Sequence, residues 1–127
     1  MKILIILFGL LFFLGQCQSQ HLTAPLYGKI DENFKVGKKE YSKVFKNKII
    51  YPEQLKEKKI TGNVYFEIEI DTIGNISKFT ILKGINSLMD GEVEKKIFLT
   101  NGRWIPLIKN EKKVNFTISD NVYFELF

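Results

Sequence analysis

The sequence predicts an α+β fold, a small three-stranded antiparallel sheet with two helices on one face. Three observations carry this. From Asn63 to Asp71, Val64, Phe66, Ile68 and Ile70 alternate with Tyr65, Glu67, Glu69 and Asp71, the period of two expected of a strand with one buried face. The turn-rich stretch Asp71 to Asn75 then joins it to a second β-rich run, Ile76 to Lys83, as an antiparallel hairpin whose Gly74 and Asn75 tolerate positive φ. Finally, Met89, Val93 and Ile97 recur one helical turn apart, with Phe98 widening the stripe.

The remaining elements follow from local chemistry. Tyr51-Pro52 opens a short helix to about Lys58, since proline's missing N–H would be unpaired in a first turn anyway, and Leu55 is its one strongly apolar position. Ser87 with Asp90 three residues on makes a capping-box-like start to the second helix, and Asn101-Gly102 stops it. After Arg103-Trp104-Ile105-Pro106 a lysine-rich turn, Lys109 to Lys113, leads into Val114 to Ile118 and Val122 to Phe127, broken at Ser119-Asp120-Asn121. Helix, strand, strand, helix, strand is an order that segregates helices to one face of an antiparallel sheet. If the last strand lies at an edge, its unpaired N–H and C=O groups form a template for another extended chain.

The 127 residues are enough for one domain. Residues 1–19 read as a secretory signal peptide: Lys2 supplies a positive charge and Ile3 to Gly15 is an uninterrupted apolar run, too short to cross a bilayer, which takes about 20 residues. Two fates fit its end. Small residues at Cys17 and Ser19 suit cleavage before Gln20, while Cys17 is the alternative position for lipidation, although Gln16 departs from the small residue that normally precedes it. The expected location is periplasmic or secreted, or membrane-attached as a lipoprotein through Cys17, with the membrane a partner only if Cys17 is lipidated or the signal is uncleaved. Residues 20–48 are lysine-rich without a sustained apolar period and are expected to be a partly disordered lead-in to a domain at 49–127, with Tyr41 to Phe45 a short strand or turn.

Composition excludes several chemistries. His21 is the only histidine and Cys17 the only cysteine, so a nucleophile–base pair or a histidine-rich or thiolate metal site has no material, and no cofactor is expected. Glu67, Glu69 and Asp71 share a strand face and are the remaining acid–base option, but such alternation is the ordinary solvated side of a sheet. The glycines never form a phosphate-cradling loop. The net charge of +5, or +4 without Lys2, is scattered, which reads as a solvated surface and not a nucleic-acid site. Trp104 beside Pro106 is expected to pack where the second helix crosses to the last strand.

Tyr51-Pro52, Gly62-Asn63-Val64, Ile70-Asp71 with Gly74-Asn75-Ile76, Leu88 to Val93 and Trp104-Ile105-Pro106 fall in the order and spacing of TonB C-terminal domains, which the chain resembles over about residues 49–127. It departs from them at Val93, where a small residue is usual, and in the turn before the last strand, where a common glycine is missing near Glu111. The resemblance implies a non-catalytic envelope module that pairs an edge strand with an extended segment of a protein such as an outer-membrane transporter. Carried over by position, the pairing strand is Val114, Asn115, Phe116, Thr117 and Ile118. The membrane anchor and proline-rich spacer of a full energy transducer are not seen, so a free-standing binding module is expected. The alternative is a structural envelope protein that forms a homodimer through the same edge.

Overall fold

The computed structural model describes residues 24–125. The sequence readings at 1–19, His21 and Cys17 lie outside them. Among the described residues no helix is long and apolar enough to cross a membrane.

Three strands form the main sheet: β1 (Gly62–Ile70) at its centre, β2 (Ile76–Lys83) on one side and β5 (Phe116–Phe124) on the other, all antiparallel. The alternation read in β1 is realised, because Val64, Phe66, Ile68 and Ile70 are all fully buried. The β1–β2 turn is an Asx turn in which the Asp71 carboxylate accepts from the Ile73 and Asn75 N–H groups. Gly74 sits at φ +88° against the Trp104 carbonyl, where any Cβ would collide with backbone.

The helical layer differs from expectation. Besides one single-turn helix, two longer α-helices pack on the inner face, and the first of these comes from the segment read as a lead-in. After a single turn, α1 (Ile30–Asn33), the chain forms α2 (Gly37–Val44), whose Tyr41, with Phe34 and Phe45 on either side, is fully buried. Phe34, Tyr41, Phe45, Phe66 and Trp104 meet in edge-on or tilted ring pairs with centroids 4.9–5.7 Å apart. The helix expected from Pro52 to Lys58 is only a 3-10 turn, Glu53–Leu55. Leu55 has no apolar partner one turn on, and the charged run that follows ends at Lys59 with φ +50°. α3 (Ser87–Ile97) buries Met89, Val93 and Ile97 as read. Its cap is Asn86, one residue earlier than expected, accepting from Leu88 and Met89 N–H; Asp90 reaches back to the Ile85 N–H.

The lysine-rich turn is a hairpin of its own, β3 (Leu107–Lys109) and β4 (Lys112–Val114). Asn110 and Glu111 take φ of 51° and 64°, the left-handed pair that a two-residue turn of this twist requires, so Glu111 does a glycine's work. The expected break at Ser119-Asp120-Asn121 is absent, and β5 runs unbroken. Ser119 and Asn121 face solvent, as alternate residues of a half-buried strand should, and Asp120 points inward to partners of its own.

Candidate strand-capture edge

β5 is an edge strand with one flank bonded to β1 in unbroken register from Gly62↔Phe124 to Ile70↔Phe116. Thr117 donates its N–H to the Leu26 carbonyl (2.7 Å) and accepts from the Gly28 N–H (2.9 Å), so its backbone groups point away from β1. In an antiparallel ladder this orientation alternates. Ser119, Asn121 and Tyr123 therefore also aim their N–H and C=O outward, and among the described residues none of these groups has a backbone partner.

The outer edge thus has two halves. The upstream half, at Thr117, is covered by Leu26 to Gly28 running parallel to β5, with a bridge between Tyr27 and Thr117. The downstream half is open and borders a groove of about 610 Å³ lined by Lys46, Asn47, Ile49, Tyr51, Asn121 and Tyr123, among others.

The five residues expected to pair with a partner occupy distinct places. Val114 ends β4 on Leu107, and Asn115 is the exposed joint between strands. Phe116 and Ile118 are buried with Ile70 and Ile68 opposite them. Of the five, Thr117 is the β5 residue that turns its backbone outward, and that edge is taken by Leu26 and Gly28. Sequence reasoning misses Ser119 and Asn121 because they fall in the polar stretch read as a break, and Tyr123 because it lies in the separate run beyond that break.

Beneath the open half lies a polar network. The Tyr41 hydroxyl donates to Asp120 Oδ2 (2.9 Å), and the Lys46 ammonium lies 3.2 Å from that oxygen and 3.4 Å from Oδ1. Burial, then the Asp120 charge and hydrogen bond, push the Tyr41 phenol far above its usual range. This network ties α2 to β5 from below. On the outer face Glu67 accepts from Tyr27 (3.0 Å) and Ser119 (3.1 Å). The hydrogen bond to Glu67 raises the Tyr27 phenol first, with desolvation and the Glu67 charge adding to it. The Asp71 carboxylate is engaged in its turn and that of Glu67 by Tyr27 and Ser119. Among the described residues no cluster of His, Cys, Asp and Glu is placed to hold a metal ion. Trp104 is buried with its indole N–H on the Thr100 hydroxyl (3.0 Å), but its ring partners are Phe34 and Tyr41 of the segment read as a lead-in.

Residues 47–126 match the family described as the Gram-negative bacterial TonB protein C-terminal. The chain belongs to this family. Its domains are protein-interaction modules of the cell envelope, and an interaction domain is what this fold carries. The solution NMR structure of the Pseudomonas aeruginosa TonB CTD is similar over 61% of this chain and 77% of that one, at 24% identity and a TM-score of 0.46. No curated protein matches the chain.

Proposed function

We propose that the protein is an exported, non-catalytic module that captures an extended segment of an envelope protein, such as an outer-membrane transporter, by adding it as a strand to the outer edge of β5. The supporting observation is the row of outward backbone groups at Ser119, Asn121 and Tyr123, without backbone partners among the described residues and beside a groove wide enough for side chains of a bound strand. Main-chain hydrogen bonds supply affinity in this mode, and alternate side chains supply selectivity. Half of the incoming side chains face the groove walls at Ile49 and Tyr51; the others lie on the outer sheet face with Tyr123 and Asn121. The positions carried over from the family resemblance, Val114 to Ile118, join the site through Thr117, the β5 residue among them with an outward backbone.

Asn121→Pro tests this reading. It deletes one outward N–H and leaves the bonds to β1 in place. Phe116→Pro is unsuitable because the Phe116 N–H belongs to the β1 ladder. In an NMR titration with synthetic peptides from the periplasmic N-terminal segments of the host's own outer-membrane transporters, the parent should shift at Ser119 to Phe124 and Asn121→Pro should bind at least about tenfold more weakly, the worth of a single lost bond. Equal binding by both would reject edge pairing. A mass that rises with concentration and is abolished by the same substitution would instead favour self-association through this edge.

Export by residues 1–19 belongs to the same proposal. The intact mass of the protein from its host distinguishes a chain beginning at Gln20, free in the periplasm or secreted, from a lipid-modified chain beginning at Cys17.

A further inference from the structure

We infer that residues 24–28 are a built-in competitor for the capture edge, a short strand of the chain's own that fills the upstream half of β5 and must leave before a partner can pair along the whole strand. The inference rests on the reading of β5 as a capture edge and adds its regulation.

Leu26 to Gly28 already makes the bonds that a captured strand would make. It is extended and parallel to β5, accepts from the Thr117 N–H and donates to the Thr117 carbonyl. The attachment is slight. Beyond those two bonds the segment offers the Tyr27 hydroxyl to Glu67, with Tyr27 54% exposed, while Ala24 and Pro25 are exposed. A groove of about 550 Å³ lined by Ala24, Pro25, Leu26, Ser77 and Lys109 shows that this stretch is not close-packed on the sheet.

Immediately downstream the chain is fastened independently. Asn33, almost fully buried, accepts from the Lys29 N–H (2.8 Å) and donates to the Ile105 carbonyl (3.2 Å), and its own carbonyl accepts from the Ile105 N–H (2.6 Å). Residues 24–28 can therefore peel away with α1 and the aromatic core left in place. The boundary falls at Gly28, whose backbone lies so close to Phe116 that an added Cβ would stand 2.6 Å from the ring and 2.8 Å from the Asn33 side-chain oxygen.

A partner entering at Ser119 to Tyr123 and pairing upstream replaces the internal bonds one for one, a nearly balanced exchange with little net hydrogen-bond gain at Thr117. The structure also defines what fits the upstream half: a parallel extended segment with glycine against Phe116 and a hydroxyl donor one residue earlier, within reach of Glu67.

The test uses the full chain and a fluorescein-labelled peptide with the sequence of residues 23–29. Gly28→Ala drives the internal strand off by collision with Phe116. The double variant Leu26→Gly, Tyr27→Gly loosens it without touching the packed boundary, and so covers the case in which Gly28→Ala disturbs the fold. Both variants should bind the peptide about tenfold more tightly than the parent, the worth of roughly one released backbone bond. Their Thr117 amide should exchange faster when free and regain protection when the peptide binds. Equal affinity in all three proteins, with shifts confined to Ser119 to Tyr123, would overturn the competitor and leave the capture edge standing. No binding to any of the three would overturn both.

Discussion

Replacing Tyr41 with phenylalanine removes one oxygen from beneath the capture edge and tests whether residues 37–48 belong to the domain. The ring stays packed between Phe34, Phe45 and Trp104, so little apolar contact is lost. What disappears is the 2.9 Å bond to Asp120, a half-buried carboxylate that keeps only Lys46. A hydrogen bond to a charged group contributes about 1.5–3 kcal/mol, so Tyr41→Phe should destabilise by about 2 kcal/mol at neutral pH. For a domain of this size that lowers Tm by roughly 6–10 °C. The parent should also show an alkaline signature that the variant lacks. Because the Tyr41 phenol is raised in the folded state, its contribution is fully present below the unfolded value near pH 10 and is lost as pH rises above it. The loss is about 1.4 kcal/mol per pH unit. Urea unfolding of both proteins at pH 7 and across pH 9.5–11 measures the two effects. A difference below about 0.5 kcal/mol at pH 7, or parallel stability curves above pH 10, would refute the placement of Tyr41 on Asp120.

Other substitutions probe the frame around the edge. Gly74→Ala should cost about 2–3 kcal/mol, since its Cβ meets the Trp104 carbonyl and its φ is left-handed, and thermal unfolding should show the loss. Val36 is exposed with φ 67°, a costly conformation for a β-branched residue, so Val36→Gly should stabilise by about 0.5–1 kcal/mol in urea titrations. Asn86→Ala removes the cap on two N–H groups of α3 and should cost about 1 kcal/mol, with helical circular dichroism falling earlier on heating.

The sheet was legible because β1 repeats its apolar residues at the strand period without interruption, and α3 was legible for the corresponding reason at the helical period. The first helix was misplaced because Pro52 is a strong start signal while the apolar residues needed to continue the helix are absent. Around α2 the pattern is present but sparse: Phe34, Tyr41 and Phe45 are separated by lysines, and three aromatic residues do not make a stripe until Trp104 and Phe66 arrive from distant parts of the chain. Asp120 was read as a break because an isolated acid in a strand gives no hint that Tyr41, 79 positions earlier, will satisfy it. The site was half-legible for the same reason. Family position led to the last strand, but which of its residues turn their backbone outward depends on the register with β1 and on where Leu26 to Gly28 settles, and neither is local to the sequence.

Amide hydrogen exchange along β5 tests the central claim most directly. In the free protein the outward N–H groups of Ser119, Asn121 and Tyr123 should exchange rapidly while those of Ile118, Asp120 and Val122, bonded to β1, stay protected. On adding a peptide from the N-terminal segment of a transporter that the parent binds, protection should appear at Ser119, Asn121 and Tyr123 together. Binding with those three amides still unprotected would contradict the account.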